Sequence, residues 1–121
     1  MNRPYLAVTT ALVFSLLPAS LHAHAFIDHA EPAVGAKVPA SPSLIRIWFT
    51  ENLEAAFSSI KVLDASGHDV EQGKAKLDKA NARLLEVATP QLPAGVYKVV
   101  WKAVSVDTHV TTGNFNFTIA P

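Results

Sequence analysis

Short runs of apolar, β-branched and aromatic residues alternate with turn-forming residues along most of the chain. The alternation is clearest at residues 114–119, where Phe115, Phe117 and Ile119 fall on one face of an extended strand. The single candidate helix covers residues 77–85, and Asn81 at its centre weakens that interpretation. Other strands are predicted at residues 24–28, 44–49, 58–63, 84–87 and 96–104.

The spacing of these strands predicts the fold class. About seven short strands, with turns roughly every 8–12 residues, are typical of an all-β sandwich, and we expect an Ig-like, Greek-key arrangement. Residues 92–97 have the pattern of a tyrosine corner, in which the Tyr97 hydroxyl bonds back to the backbone between the sheets. A half-buried strand aromatic is the alternative interpretation of Tyr97. Trp48 and Trp101 are assigned to the core.

The first residues have the features of a secretory signal peptide. Arg3 is basic, residues 5–17 are almost wholly apolar, and Pro18 precedes a small-residue segment that ends at Ala23. The apolar run is shorter than the roughly 20 residues that a membrane-spanning helix needs. We therefore predict that residues 1–23 are a cleaved leader and that the protein is exported.

The position of the cut decides which residue begins the mature protein. Cleavage after Ala23 leaves one domain, residues 24–121, that starts with His24. Cleavage after Ala25 is the alternative, because Ala-His-Ala matches the usual small-residue pattern, and this cut would remove His24.

Composition excludes several classes of protein. The chain has no cysteine, so an exported form has no disulfide framework, thiolate zinc site or cysteine nucleophile. Ten basic and ten acidic residues balance, without a basic cluster, which argues against a nucleic-acid partner and a polybasic membrane anchor. The sequence has no long apolar stretch that would indicate an exposed interface, so we expect a monomer.

The candidate chemistry is a metal site. An N-terminal His24 would offer its α-amine and its imidazole to one ion, and an unperturbed α-amine titrates at about pH 7.7–8, so metal displaces its proton easily. Asp107 and His109 are two residues apart, so on an extended segment both side chains would leave the same face. Nitrogen and oxygen donors suit Cu(II). An Asp or His near a loop is more often a turn-former or a solvated residue than a metal ligand. Only the combination of an N-terminal His24 with the Asp107 and His109 pair therefore indicates a metal site.

Several stretches resemble the CopC family of bacterial copper-resistance proteins. The most specific stretch matches the family pattern V-S-x-D-x-H-x-x-x-G-x-x-x-F and contains both Asp107 and His109. The matching stretches are His24-Ala25 and residues 31–36, 47–54, 92–101 and 104–117.

The resemblance implies a periplasmic β-sandwich that binds one Cu(II) ion per chain through His24, Asp107 and His109. Glu51 matches a family acidic residue that supports the site by holding a ligand nitrogen or a water, although alone it would be read as a solvated loop carboxylate. The resemblance also favours the cut after Ala23, because the other cut destroys the site. It implies a CopD-type inner-membrane copper transporter as partner.

Some family members carry a second, methionine-rich Cu(I) site, and this chain departs from them. Its one methionine is Met1, which leaves with the predicted leader. Because Cu(I) prefers soft sulfur donors, we expect a form that binds Cu(II) alone. His29 and His68 match no family ligand and are expected on the surface.

Two other functions remain open. An N-terminal histidine with one further histidine is also the histidine brace of copper oxygenases, but Asp107 as a ligand would stabilise Cu(II) and oppose oxygen activation. A metal-free Ig-like accessory domain is the other alternative, for which replacing His24 or His109 would have no effect. We expect a binding protein without catalytic residues.

Overall fold

The computed structural model describes residues 25–121. The predicted leader, residues 1–23, and His24 lie outside the described residues, so the leader and the domain boundary stay predictions. Across the described range, no helix is both long and apolar enough to cross a membrane.

Eight strands and one turn of 3-10 helix, Ala55–Phe57, make up the regular structure of residues 25–121. The strands are β1 (Ile27–Glu31), β2 (Lys37–Val38), β3 (Leu44–Phe49), β4 (Ser59–Leu63), β5 (Gln72–Asp78), β6 (Asn81–Ala88), β7 (Gly95–Val104) and β8 (Val110–Ile119).

The strands form two four-stranded sheets, one in the order β1-β3-β6-β5 and the other in the order β2-β8-β7-β4. Neighbouring strands are antiparallel except for β2, which runs parallel to the end of β8. The predicted all-β sandwich is confirmed. The strands that the pattern missed are β5, whose inward side has only Ala75 and Leu77 packed against the core, and β2, which has two residues.

The core lies between the two sheets and is filled by every second residue of the central strands. On β3, Ile45, Ile47 and Phe49 are buried while the residues between them are partly exposed, as the two-residue period of a strand requires. Phe49 of one sheet meets Trp101 of the other edge to face, with ring centroids 5.2 Å apart. Phe115, Phe117 and Ile119 are buried on one face of β8, as predicted.

The candidate helix at residues 77–85 does not form, because this segment belongs to the hairpin between β5 and β6. Asp78 pairs with Asn81 across a tight turn. The Asp78 carboxylate accepts the Ala80 backbone N–H (2.9 Å), and the Asn81 side-chain oxygen accepts that of Arg83 (3.0 Å). Short polar side chains that bond the local backbone in this way favour turns over helix.

The assignment of Trp48 to the core is also wrong. Its neighbours Ile47 and Phe49 point inward, so Trp48 lies on the outer face of the sheet. There it stacks on the His29 ring, with centroids 4.2 Å apart. Trp101, by contrast, is 7% exposed and belongs to the core as expected.

The tyrosine corner is confirmed. Tyr97 is 3% exposed, and its hydroxyl donates to the Pro93 carbonyl at 2.6 Å. Its ring stacks against Phe117, with centroids 5.5 Å apart. The bond ties the start of β7 to the turn that precedes it.

Replacing Tyr97 by Phe should lower the free energy of unfolding by about 1 kcal/mol, because the ring contacts remain while one hydrogen bond is lost. For a domain of this size that corresponds to a fall of about 4–8 °C in Tm. Thermal unfolding followed by circular dichroism measures the change. Val96→Thr, on the exposed face of the same strand, is the control and should keep the wild-type Tm; equal Tm values for Tyr97→Phe and wild type would contradict the prediction.

Candidate metal centre

The turn that joins β7 to β8 carries Asp107 and His109. β7 and β8 pair along their whole length, and the last pair is Val104 with Val110. Beyond it, the Ser105 N–H donates to the His109 carbonyl (3.0 Å), and the Thr108 N–H donates to the Ser105 carbonyl (2.8 Å). Three residues, 106–108, thus lie between the bonded Ser105 and His109. They form a hairpin loop whose last residue has a left-handed backbone conformation.

Thr108 is that left-handed residue, with φ of +72°. A β-branched residue is uncommon in this region because its side chain crowds the backbone. The Thr108 hydroxyl donates to the Asp107 carbonyl at 2.5 Å. The loop reverses direction at Thr108, which turns the next side chain back toward Asp107.

Asp107 and His109 meet within this loop. Asp107 Oδ2 lies 3.2 Å from His109 Nδ1, and the two side chains are about half exposed. The prediction that an extended segment aligns them is wrong, since residues 106–108 form a turn. The side chains of Asp107 and His109 are nevertheless close together, as expected. The turn brings them together, and not the alternation of side chains along a strand.

Ser105 lies beneath the pair and is 1% exposed. Its hydroxyl donates to Asp107 Oδ1 and accepts the His109 backbone N–H at 3.3 Å. This hydroxyl is the largest influence that holds the pKa of Asp107 below its ordinary value, and the hydrogen bond from His109 acts in the same direction. Sequence reasoning assigned Ser105 no part, although a hydroxyl residue two positions before the Asp was the available signal.

The described chain begins beside this loop. Ala25 is fully buried, and its carbonyl accepts the Thr111 hydroxyl at 2.5 Å. On the other side, the Phe26 N–H donates to the Thr50 side-chain hydroxyl (3.0 Å), and the Thr50 N–H donates to the Phe26 carbonyl (2.9 Å). Ala25 is therefore fixed between the strand that follows His109 and the segment that contains Glu51. Neither threonine was predicted from the sequence to contribute to the site.

Glu51 is half-buried and belongs to a segment that runs along the loop. The Val106 N–H donates to the Asn52 carbonyl at 3.1 Å, and Leu53 forms a bridge with Ser105. Among the hydrogen bonds and ion pairs of residues 25–121, none joins Glu51 to Asp107 or His109. The structure thus brings the segment of Glu51 next to the ligand loop, and it places the side chains of Asp107 and His109 in contact.

The geometry of the pair fits two ligands of one metal ion. With metal bonds of about 2 Å and a right angle between them, neighbouring ligand atoms lie about 2.8 Å apart. The separation of 3.2 Å between Asp107 and His109 is close to that value. Within residues 25–121 no group of three or more metal-binding His, Cys, Asp or Glu side chains occurs, so a complete site needs donors in addition to this pair.

The other two histidines of the described chain are exposed, as predicted. His29 pairs with Asp28 at 2.7 Å on the outer face of the sheet. His68 lies 3.8 Å from Asp64 in the turn after β4, and 79% of its side chain is exposed.

The family model of the CopC domain matches residues 27–120. This chain belongs to the CopC family. It is 35% identical over 118 residues to copper resistance protein C of Pseudomonas syringae pv. tomato, and the match covers 93% of both chains. The protein YobA of Escherichia coli K12 is 35% identical over 109 residues, with 89% of this chain and 88% of YobA covered.

A longer relative is the copper transport protein CutJ of Bacillus subtilis, which is 34% identical over 119 residues. The match covers 98% of this chain and 22% of CutJ, so the chain spans about a fifth of the length of that relative.

Solved structures of the CopC family have the same fold. CopC from Methylosinus trichosporium OB3b superposes with a TM-score of 0.76 at 36% identity, over 81% of this chain and 95% of that one. PcoC of Escherichia coli, a methionine-rich copper resistance protein, gives a TM-score of 0.69 at 35% identity, over 81% of this chain and all of PcoC. The chain is therefore a CopC-family sandwich with a copper-related function.

In the metal-free protein we expect the Asp107 carboxyl to titrate below its ordinary pKa of 3.8, because Ser105 and His109 bond its ionised form. A carboxyl whose pKa is lower in the folded state stabilises the fold above its unfolded pKa. That contribution is lost as the pH falls through the folded pKa. Carbon-13 NMR of the side-chain carboxyl measures the midpoint directly.

The Asp107→Asn variant should lack this part of the acid dependence of Tm. Asp69→Asn, which removes an exposed carboxylate that faces Lys61 at 3.4 Å, is the matched control and should retain it. An Asp107 midpoint at or above 3.8 would contradict the inferred hydrogen bonds.

Proposed function

We propose that the protein binds one Cu(II) ion in the periplasm and serves as a copper carrier or buffer. The ligands are the α-amine and imidazole of His24, once cleavage after Ala23 makes it the first residue, with Asp107 and His109. Glu51 supports the site from the adjoining segment.

The observation that carries the proposal is the anchoring of Ala25 beside the ligand loop. Ala25 is buried and bonded to Thr111, two residues after His109. His24 precedes Ala25, and consecutive Cα atoms are about 3.8 Å apart, so the amine and imidazole of His24 need no long loop to reach the loop ligands. Little entropy is therefore lost in assembling the site.

The donor set suits Cu(II). Three nitrogens and one carboxylate oxygen can occupy the tetragonal plane that Cu(II) prefers, and the charge of Asp107 offsets part of the charge of the ion. Residues 24–121 contain neither cysteine nor methionine, the soft donors that Cu(I) prefers. PcoC, by contrast, is methionine-rich.

The exposure of the ligands favours a carrier over an enzyme. About half of each of the Asp107 and His109 side chains is exposed, so an acceptor can approach the ion directly. A carboxylate ligand also occupies a position that oxygen activation would need. CutJ, a copper transport protein several times longer, contains a stretch similar to this whole chain, and this supports a CopD-type membrane copper transporter as partner.

Native mass spectrometry of the exported protein, before and after one equivalent of Cu(II), tests the ligand set. We expect a chain that begins at His24 and holds one copper ion, and we expect Asp107→Ala combined with His109→Ala to lose it. The control combines Asp64→Ala with His68→Ala, which removes an Asp–His pair outside the ligand loop.

Copper retained by the Asp107/His109 variant, or lost equally from the Asp64/His68 control, would contradict the site. A chain that begins at Phe26 would contradict it as well. Oxygen uptake by the copper-loaded protein with ascorbate, above that of free copper, would support the oxygenase instead.

A glycine placed before His24 tests the amine. The added residue keeps the imidazole but moves the free amine to another position. We expect the Cu(II) affinity to fall by more than the roughly 10–100-fold typical of losing a supporting residue, because a direct ligand is lost. Competition with a chelator of known affinity measures the fall, and a glycine added after Pro121 is the control. Equal affinities of the two extended proteins would show that the amine is not a ligand.

A further inference from the structure

We infer that Ser105 is a positioning residue for the Cu(II) site, and the inference rests on the proposed function. Its hydroxyl holds one carboxylate oxygen of Asp107 and the backbone of His109, so that the second Asp107 oxygen and the His109 ring are presented together. Ser105 itself would not touch the ion.

The single proton of the hydroxyl decides which Asp107 oxygen is used. The Ser105 oxygen lies within reach of both Asp107 Oδ1 and the His109 carbonyl, the latter at 3.4 Å. One proton makes one strong bond, and an ionised acceptor forms the stronger one, so the proton goes to Asp107. Oδ1 therefore accepts the hydrogen bond from Ser105, and Oδ2 is the atom that faces His109 Nδ1 at 3.2 Å.

The same hydroxyl also fixes His109. As an acceptor it takes the His109 N–H at 3.3 Å, while the Ser105 N–H donates to the His109 carbonyl at 3.0 Å. Ser105 is 1% exposed, so water cannot replace these bonds, and its bridge to Leu53 joins it to the segment of Glu51. The ligand loop is therefore held in one conformation before metal arrives.

A consequence for the metal follows from this arrangement. With Oδ1 held by Ser105, Asp107 would offer one oxygen to the ion. Removing the hydroxyl would free both carboxylate oxygens and allow Asp107 to bind through two. The balance of nitrogen and oxygen around Cu(II) would then change, which electron paramagnetic resonance detects.

The test compares Ser105→Ala with Ser58→Ala in the protein that begins at His24. Ser58 is the matched control, because it is also buried and its hydroxyl also bonds two groups, the Glu54 carbonyl (2.8 Å) and the Val104 N–H (3.0 Å), but no ligand. For each protein the Tm without metal, the Cu(II) affinity and the paramagnetic resonance spectrum with one equivalent of Cu(II) are measured. Ser105→Thr, which keeps a hydroxyl, is the conservative variant.

We expect both alanine variants to lose some thermal stability. Only Ser105→Ala should lower the Cu(II) affinity, by roughly 10–100-fold, because removal of a supporting hydrogen bond has this effect at other metal sites. Only this variant should also change the paramagnetic resonance spectrum. Ser105→Thr should restore both. Unchanged affinity and spectrum in a folded Ser105→Ala would overturn the positioning role and leave the proposed function intact, whereas a wild type that binds no Cu(II) would overturn both.

A measurement on the unaltered protein covers the case in which Ser105→Ala does not fold. In metal-free wild type, the Ser105 hydroxyl proton should exchange slowly with water and be visible by NMR, with a contact to the His109 amide proton. A hydroxyl proton that exchanges as fast as that of the exposed Ser66 would overturn the inference.

Discussion

β7 and β8 pair over ten residues each, and the positions of Asp107 and His109 depend on the register of that pairing. Gly113 sits opposite Trp101, and a Cβ at position 113 would lie 2.5 Å from Trp101 Cζ2, so the indole packs where any other residue would clash. A slip of one strand by one residue would turn the buried face of that strand outward. It would also move the loop that closes the hairpin, and with it Asp107 and His109.

The candidate centre lies where the two sheets meet. The ligand loop extends from the β7–β8 hairpin of one sheet, whereas Ala25 leads into β1 at the edge of the other. Thr111 and Thr50 hold Ala25 and Phe26 through hydrogen bonds of 2.5 and 3.0 Å. The proposed site would thus be assembled across the sandwich, and it would depend on correct packing of both sheets rather than on one local segment.

Most of the fold could be predicted from the sequence, because the buried face of a strand leaves a two-residue period that is visible in β3 and β8. The prediction failed where that period is absent or misleading. β5 is largely exposed, with only Ala75 and Leu77 packed against the core, and its hairpin with β6 was mistaken for a possible helix. Trp48 was mistaken for a core residue because its size outweighed its place between two inward-facing neighbours.

Within the candidate site, the proximity of Asp107 and His109 was predictable and its cause was not. Side-chain alternation requires extended backbone, whereas the loop uses a left-handed Thr108, a conformation that residue type alone would not suggest. Ser105, Thr50 and Thr111 went unassigned because serine and threonine are common in turns and strands, and their contacts span up to 86 residues of sequence. Such long-range hydrogen bonds leave no periodic signal.

The same construction relates copper binding to folding. If the N-terminal residue and the hairpin loop share one ion, the ion joins the edge of one sheet to the end of the other, and only the folded chain brings these donors together. A ligand that binds only the folded state stabilises it in proportion to the logarithm of its concentration over Kd. The half-exposed Asp107 and His109 leave one side of such a site open, so the stability gained on binding need not prevent transfer. Rigidity would come from the buried serine beneath the ligands and accessibility from the solvent side, which is the combination that a protein passing on its metal requires.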